Sequence, residues 1–364
     1  MEPTLPEPTM PEPTMPEPTM RVAMLRGPGR VDVCDVAAPA PGPDEVVCEV
    51  DLCGICGSDL HLVLEGWARP GTWQGHEWVG RVAAVGENVT AWRPGDAVVG
   101  GPSERCGRCV MCRAGRPALC EERDAPGQTA TTGAFATRIV VRATELLALP
   151  AGLDRRAAAL AEPLAVALHA LTQGGVVAGD RVMVLGAGPI GALAIAAMAA
   201  RGVRDIVCVE PVDARRALAG ALGATSLLPP DALEVPSIAE PSRIVDAAVD
   251  VVLECSGKAS AMEAGLAQLR RTGRLVLVGA GIEPPRFDPN RILLNEVVIT
   301  GAFTYDAGGF EAALALLAGG RIPTAALIEP GAVALDGLVR AMVELAAGRT
   351  AGKVLVQPNP EVHP

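Results

Sequence analysis

The sequence predicts an α/β chain in two parts, an irregular β-rich domain joined to a doubly wound parallel sheet. Its 364 residues exceed one ordinary domain and fit two. Up to about Glu162, short runs of β-branched residues stand between Gly and Pro turns; after Pro163, strands alternate with alanine-rich helical runs. Hydrophobic residues make up 49% and charged residues 20%, enough for a sizeable core, although aromatics are scarce at four Trp, four Phe and one Tyr.

Residues 1–20 repeat the pentad PEPTM with Pro at two of five positions, which excludes a helix interior or a central strand. Residues 1–19 are therefore expected to form a disordered tail ahead of a natural start at Met20, and to be dispensable. MRVAMLRGPGRVDV (20–33) reads as a first strand, and EVVCEV (45–50), WVGRVAAVG (78–86) and FATRIVV (135–141) continue the β-rich part over 20–162. Over 163–304 the order is RVMVL (181–185), helix 189–201, IVCVE (206–210), helix 213–222, VDVVLE (249–254), helix 259–271 and RLVLVG (274–279). Such alternation implies a parallel sheet. Residues 305–364, with helical runs at 310–320 and 338–348 and a final KVLVQP strand, break the rhythm and are expected to return to the first domain.

The formal charge is −11, from 31 basic and 42 acidic residues, with Glu2, Glu7, Glu12 and Glu17 in the repeat. This balance lacks the basic field that nucleic acid or an anionic membrane requires, so neither partner is expected. No basic and then apolar leader opens the chain, so the ten cysteines are expected to be reduced in the cytoplasm. Val182–Ala200 is uncharged over nineteen residues, but Gly186, Gly188, Pro189 and Gly191 interrupt it and its second half is mostly Ala. A membrane span is not expected there.

Cys106, Cys109, Cys112 and Cys120 follow C-x2-C-x2-C-x7-C spacing. Closely spaced thiolates suit a tetrahedral soft-ligand metal, so a closed structural zinc is expected to staple this loop. A disulfide is disfavoured by the compartment, and an iron–sulfur cluster by the last interval and the missing proline. A second set is dispersed: Cys56 in GICGSDLH (54–61), and His76 with Glu77 in GHE (75–77). Thiolate, imidazole and carboxylate are the mixed donors of a zinc that keeps an exchangeable position; a buried free Cys and a core His are the alternative reading. Cys53 is read as a small buried hydrophobe.

In GAGPIG (186–191), Gly186, Gly188 and Gly191 form G-x-G-x-x-G between a strand and a helix, with Pro189 and Ile190 inside the loop. Glu210 ends the next strand nineteen residues after Gly191. The glycines let backbone N–H groups and a helix N-terminus approach a pyrophosphate, and Glu210 can accept from an adenosine ribose. A carboxylate there repels the 2′-phosphate of NADP, so NAD is the expected cofactor; Arg215 and Arg216 either face solvent or serve a phosphate.

With AEPLAVALHA (161–170) and ECSG (254–257), these motifs run in order from Met20 to about Pro358, and the chain resembles the medium-chain, zinc-dependent alcohol dehydrogenase family. EPLAVALHA and VEPVDARR look closer to its sorbitol, threonine and other polyol or amino-alcohol dehydrogenases than to the ethanol enzymes, which carry a cysteine ligand where this chain places Glu162. The resemblance implies a GroES-like catalytic domain made from both chain ends, with a Rossmann domain inserted. It also implies a catalytic zinc held by Cys56, His76 and either Glu77 or Glu162, beside the structural zinc. Asp59 would orient His76, Ser58 and His61 would relay the proton, and Lys353 would lie near the cofactor phosphates, although a lone Lys otherwise faces solvent. Trp67 or Trp73, in LEGWARPGTWQ (64–74), is expected at the substrate entrance or in the core.

The expected activity is hydride transfer between NAD and the secondary alcohol of a polyol, cyclitol or amino-alcohol, the zinc acting as Lewis acid on a small-molecule alcohol or ketone. A homodimer or homotetramer is expected, the strand near EVVIT (296–300) joining subunits. Alternatives are an aminocyclitol dehydrogenase of antibiotic biosynthesis and a non-catalytic NAD-binding redox sensor whose thiolate loop is oxidised.

Overall fold

The computed structural model of the chain describes residues 18–100, 105–122 and 133–359. The repeat up to residue 17 lies outside them. The stretch expected as one strand over 20–33 is a hairpin, β1 (Thr19–Gly27) and β2 (Arg30–Ala37), paired antiparallel as a separate two-stranded sheet. Its turn is Pro28–Gly29, and the glycine supplies a φ of 67°. Thr19 pairs with Ala37, and the Pro18 carbonyl accepts from Ala38 N at 2.8 Å, so these two residues belong to the folded part rather than to the tail. A deletion ending at residue 17 is accordingly expected to keep the melting temperature and turnover of the full chain, compared side by side; a loss of soluble protein would contradict this.

The chain continues through β3 (Glu45–Gly54), α1 (Gly57–Val63), β4 (Glu77–Val85), β5 (Ala97–Gly100), α2 (Val110–Arg113), β6 (Arg138–Arg142), β7 (Leu146–Ala148), α3 (Arg155–Ala158) and α4 (Ala161–Gly174). Then come β8 (Arg181–Leu185), α5 (Pro189–Ala200), β9 (Asp205–Val209), α6 (Asp213–Ala221), β10 (Ser226–Leu228), β11 (Val249–Glu254), α7 (Ala259–Ala267), β12 (Leu269–Leu277), α8 (Pro289–Asn295) and β13 (Val298–Gly301). The last elements are α9 (Gly309–Ala318), α10 (Thr324–Leu327), α11 (Leu338–Ala346) and β14 (Leu355–Val356).

One six-stranded sheet is antiparallel, in the order β14-β3-β4-β5-β7 with β6 also on β3. β14 pairs with β3 at Leu355–Gly54 and Val356–Cys53, which returns the end of the chain to its first half. The other sheet is parallel, in the order β10-β9-β8-β11-β12-β13. Val182, Val184, Val252 and Leu253 are fully buried, because helices cover both faces of a parallel sheet. Its order reverses between β8 and β11, which opens a crevice at the carboxyl ends of the strands. α4 is buried nearly all round because it packs on β4 of one sheet and on β11, β12 and β13 of the other; Gly175 stops it at a φ of 61°.

The helix expected over 259–271 ends at Ala267. Leu269 is 1% exposed and pairs with Val249, so burial of that side chain in the sheet overrides helical continuation. Of KVLVQP only Leu355–Val356 forms a ladder.

Candidate active site

The β3–β4 register builds the first cluster. Gly54 lies opposite Glu77 and Cys53 opposite Trp78, so Cys56, two residues beyond the end of β3, meets His76, the residue just before β4. Donor atoms of Cys56, His76 and Glu77 all lie within 4.8 Å of one another. Cys56 is the N-cap of α1, and its N–H donates to Asp59 Oδ2 at 2.9 Å. Asp59 Oδ1 is 3.7 Å from His76 Nδ1 and has no hydrogen-bond partner. Glu162 comes from the first turn of α4 and is 4% exposed.

The charges here are strongly perturbed. Burial opposes protonation of His76, but Asp59, the Cys56 sulfur and Glu162 outweigh it and hold the ring well above the usual histidine range. Burial raises Asp59, and it pushes the Glu162 carboxyl up to about 7. Burial, with Asp59 and Glu77 nearby, also holds Cys53 well above the usual thiol range, which fits a packed neutral thiol and not a ligand. Among the described residues, Cys56, Asp59, Glu77 and Glu162 are thus gathered around two cationic groups, His76 and Lys353. A zinc ion fits this donor set: it supplies positive charge among the carboxylates, and Asp59 Oδ1, 3.7 Å from Nδ1 of His76, favours the tautomer protonated at Nδ1, which leaves Nε2 to coordinate.

Lys353 is committed to the metal cluster. It is 2% exposed, and its ammonium donates to both Glu77 oxygens at 2.7 and 2.6 Å and to the Ile55 carbonyl at 2.9 Å. Burial opposes its charge, but Glu77, with Cys56 and Glu162 beyond, raises it above the usual lysine range. The phosphate role expected for Lys353 is therefore replaced by an ion pair at the metal cluster. Sequence reasoning missed this pair; the one signal was a single cation inside the apolar run of KVLV.

Ser58 is half-buried on α1, and His61 follows one turn later. His61 Nδ1 is 2.8 Å from Glu65 Oε2, and its ring stacks on Trp67 at 4.9 Å and 18°. Trp67 is 45% exposed, whereas Trp73 packs against Met20, Val22, Met24 and Ala136 beside the hairpin.

Cys106, Cys109, Cys112 and Cys120 also gather within 4.8 Å. Backbone N–H groups of Cys106, Cys109 and Cys112 point at the sulfurs of Cys120, Cys106 and Cys109, at 3.4, 3.3 and 3.4 Å. The donors from Cys112 and Glu121 pull Cys109 down to about 6. Four converging sulfurs bathed in N–H donors suit a closed zinc–thiolate site. None of the ten cysteines forms a disulfide.

The third site lies between β8 and α5. Gly186 has a φ of 91°, Gly188 is the N-cap and Pro189 the first residue of α5, and Ile190 is half-buried behind it. A Cβ on Gly191 would collide with the Gly186 carbonyl. Glu210 follows β9 directly, at 3% exposure, and accepts from Ala187 N at 2.8 Å and Val212 N at 2.9 Å. Its remaining lone pairs can still accept ribose hydroxyls. Arg215 is not free for a phosphate: it donates to the Thr350 and Leu345 carbonyls at 3.0 and 2.9 Å, tying α6 to the end of α11. Arg216 pairs with Asp213 and with the Glu210 carbonyl. Glu254, quoted only within ECSG, is fully buried and accepts from Ser256 N at 2.7 Å, which sets Ser256 against Gly186 as one wall of this loop.

Residues 42–151 match the family described as alcohol dehydrogenase GroES-like domain, and residues 189–319 the one described as zinc-binding dehydrogenase. The chain is 35% identical to 2-dehydro-3-deoxy-L-galactonate 5-dehydrogenase of Pseudoalteromonas atlantica, over 80% of this chain and 85% of that one. It is 36% identical to L-threonine 3-dehydrogenase of Caldanaerobacter subterraneus, over 74% and 79%. Among solved structures, a zinc-binding dehydrogenase of Sinorhizobium meliloti bound to NADP superposes with a TM-score of 0.82 at 31% identity, covering 94% of this chain and all of that one.

Proposed function

The chain belongs to the zinc-dependent medium-chain alcohol dehydrogenase family, and we propose that it moves a hydride between NAD and the secondary carbinol of a polyol, cyclitol or amino-alcohol. The observation that carries this reading is the convergence of Cys56, His76 and Glu77, with Glu162 alongside, in a chain that also holds a dinucleotide loop. Residues 20–162 and 305–364 would form the catalytic domain, and 163–304 the NAD-binding domain. The sugar-acid and threonine enzymes support a carbinol flanked by polar groups. The test is a panel of secondary alcohols with NAD, followed by NADH absorbance: turnover with at least one polyol or amino-alcohol is expected, and NAD binding without turnover across the panel would favour a sensor instead.

Zinc held by Cys56, His76 and one of the two glutamates would supply Lewis acidity toward a substrate hydroxyl. The protein's own groups do the rest. Asp59 fixes the His76 ring and tautomer. Ser58 starts the proton route, and His61, fixed by Glu65 and Trp67, carries it toward solvent. The α5 N-terminus and the glycine loop would hold the pyrophosphate of NAD, which would supply the hydride acceptor.

Glu210 supports NAD over NADP, because a carboxylate there repels a 2′-phosphate and both neighbouring arginines, Arg215 and Arg216, are committed to other partners. Glu210→Ala is expected to cut the ratio of kcat/KM for NAD over NADP about tenfold, one lost charge-assisted contact being worth roughly 1.5 kcal/mol. An unchanged ratio would remove the cofactor argument.

A homodimer or homotetramer is proposed, with the open edge of β13 as the joint. Val298 on that strand is 44% exposed, and Leu293 and Leu294 beside it are 70% and 54% exposed. Among the described residues no helix is long and apolar enough to cross a membrane. A cytoplasmic location is proposed from the unpaired thiols.

A further inference from the structure

We propose that Glu65 is a positioning residue that holds the proton of neutral His61 on Nδ1 and so keeps Nε2 as the nitrogen that receives the proton leaving the substrate by way of Ser58. The inference deepens the proton route proposed above and rests on it. His61 Nδ1 is 2.8 Å from Glu65 Oε2. A neutral imidazole donates from one nitrogen and accepts at the other, whereas a carboxylate only accepts. The contact is therefore a hydrogen bond only while Nδ1 carries the proton, and the partner of one ring nitrogen decides the role of the other. Nε2 is left with its lone pair.

A second contact holds the ring itself. Trp67 stacks on it with the centroids 4.9 Å and the planes 18° apart. An exposed pair alone holds a side chain weakly. With one nitrogen and one face both engaged, turning the ring over to exchange Nδ1 and Nε2 would break two contacts at once.

The end of α1 builds this arrangement. Leu64 N and Glu65 N both donate to the Leu60 carbonyl, at 2.8 and 3.3 Å, and Trp67 N donates to the His61 carbonyl at 3.3 Å. Between them Gly66 takes a φ of 80°, and a Cβ there would stand 2.6 Å from Pro28 Cγ, so the turn that brings residues 65 and 67 back over His61 requires glycine. Gly29 N donates to the Val63 carbonyl at 2.8 Å, and the turn of the β1–β2 hairpin thereby supports the end of α1. The side chains of His61 and Glu65 are 22% and 42% exposed, so water reaches the pair. In transit the ring takes one proton at Nε2, becomes an imidazolium facing the carboxylate, and returns to its Nδ1–H form by giving that proton to water.

The test is nitrogen-15 NMR of the histidine rings in the zinc-loaded full chain, at a pH where the His61 ring is neutral, for the parent, Glu65→Ala and Glu65→Gln. The chain has four histidines, and His61 is assigned by its absence from His61→Asn. The parent is expected to show a protonated Nδ1 and a bare Nε2. Glu65→Ala is expected to shift the ring toward the Nε2–H form and to slow the pre-steady-state burst of NADH formation about tenfold, with the alcohol that the panel above turns over fastest. That loss is part of the 10²–10⁴-fold that positioned proton transfer contributes. Glu65→Gln, whose amide oxygen accepts from Nδ1 without carrying a charge, is expected to keep the tautomer and to slow the burst about threefold. A parent ring protonated at Nε2, or an Nδ1–H form that survives in Glu65→Ala, would overturn the proposal. So would a parental burst in Glu65→Ala while His61→Asn is slow. A parental burst in His61→Asn itself would instead refute the proton route.

Discussion

Cys56→Ser is expected to abolish turnover, by more than about 100-fold, while NAD still binds with near-parental affinity. The size follows from the position of the sulfur: residues that only orient a metal ligand already cost 10–100-fold when replaced, and Cys56 is a ligand candidate itself. Serine preserves the N-cap geometry of α1, because its oxygen is a better cap than sulfur, so the helix carrying Ser58, Asp59 and His61 is kept. The loop between β8 and α5 shares no side chain with this cluster, and calorimetric titration with NAD reads it separately. Zinc content should fall from two per chain to one, matching the two donor clusters. Parental turnover in the variant would exclude metal-assisted hydride transfer at this position.

Cys109→Ser is expected to act on the fold instead. The segment 105–122 buries little of its own, chiefly Ala118 and Cys120. Its contacts with the rest of the chain include the Ala307 N–H to the Gly115 carbonyl at 3.2 Å, Arg116 with Asp306 at 3.4 Å, and the Arg105 guanidinium over the Tyr305 ring at 5.6 Å. Such a loop cannot repay its conformational entropy by apolar burial, so the four-sulfur site must hold it. Cys109 is also the N-cap of α2 and lies between two of the other sulfurs in the N–H to sulfur relay. Loss of its thiolate should lower the melting temperature by more than about 5 °C and reduce the yield of assembled protein, while turnover per surviving folded molecule changes far less. A variant with parental melting and one zinc per chain would show the loop to be self-supporting.

The parts of the site legible in the sequence are those whose residues lie close along the chain. The four cysteines fall within one loop, and the glycine loop with Glu210 falls within one strand–helix–strand unit, so spacing alone places them. Cys56 and His76, twenty positions apart, were only suggestive as residues and became a ligand pair through the family resemblance; the β3–β4 ladder that joins their segments is supplied by the fold. Lys353 and Arg215 were not, because each is defined by a partner that only the tertiary fold supplies: Glu77 across 276 positions for one, the carbonyls of Leu345 and Thr350 for the other. A lone basic residue carries no periodic signal of burial. The hairpin was missed although its GPG turn stood in the sequence, since apolar residues on both sides of the turn read as one run. Trp67 and Trp73 differ only in which surface their loop presents to the fold, and no local pattern encodes that.

The most direct test is anomalous diffraction at the zinc edge from crystals of the full chain. We expect two peaks, one enclosed by the sulfurs of Cys106, Cys109, Cys112 and Cys120, and one between Cys56 and His76 with a glutamate oxygen completing the protein donors. A peak at the thiolate loop alone, with none between Cys56 and His76 in protein shown to be zinc-replete and active, would contradict the account.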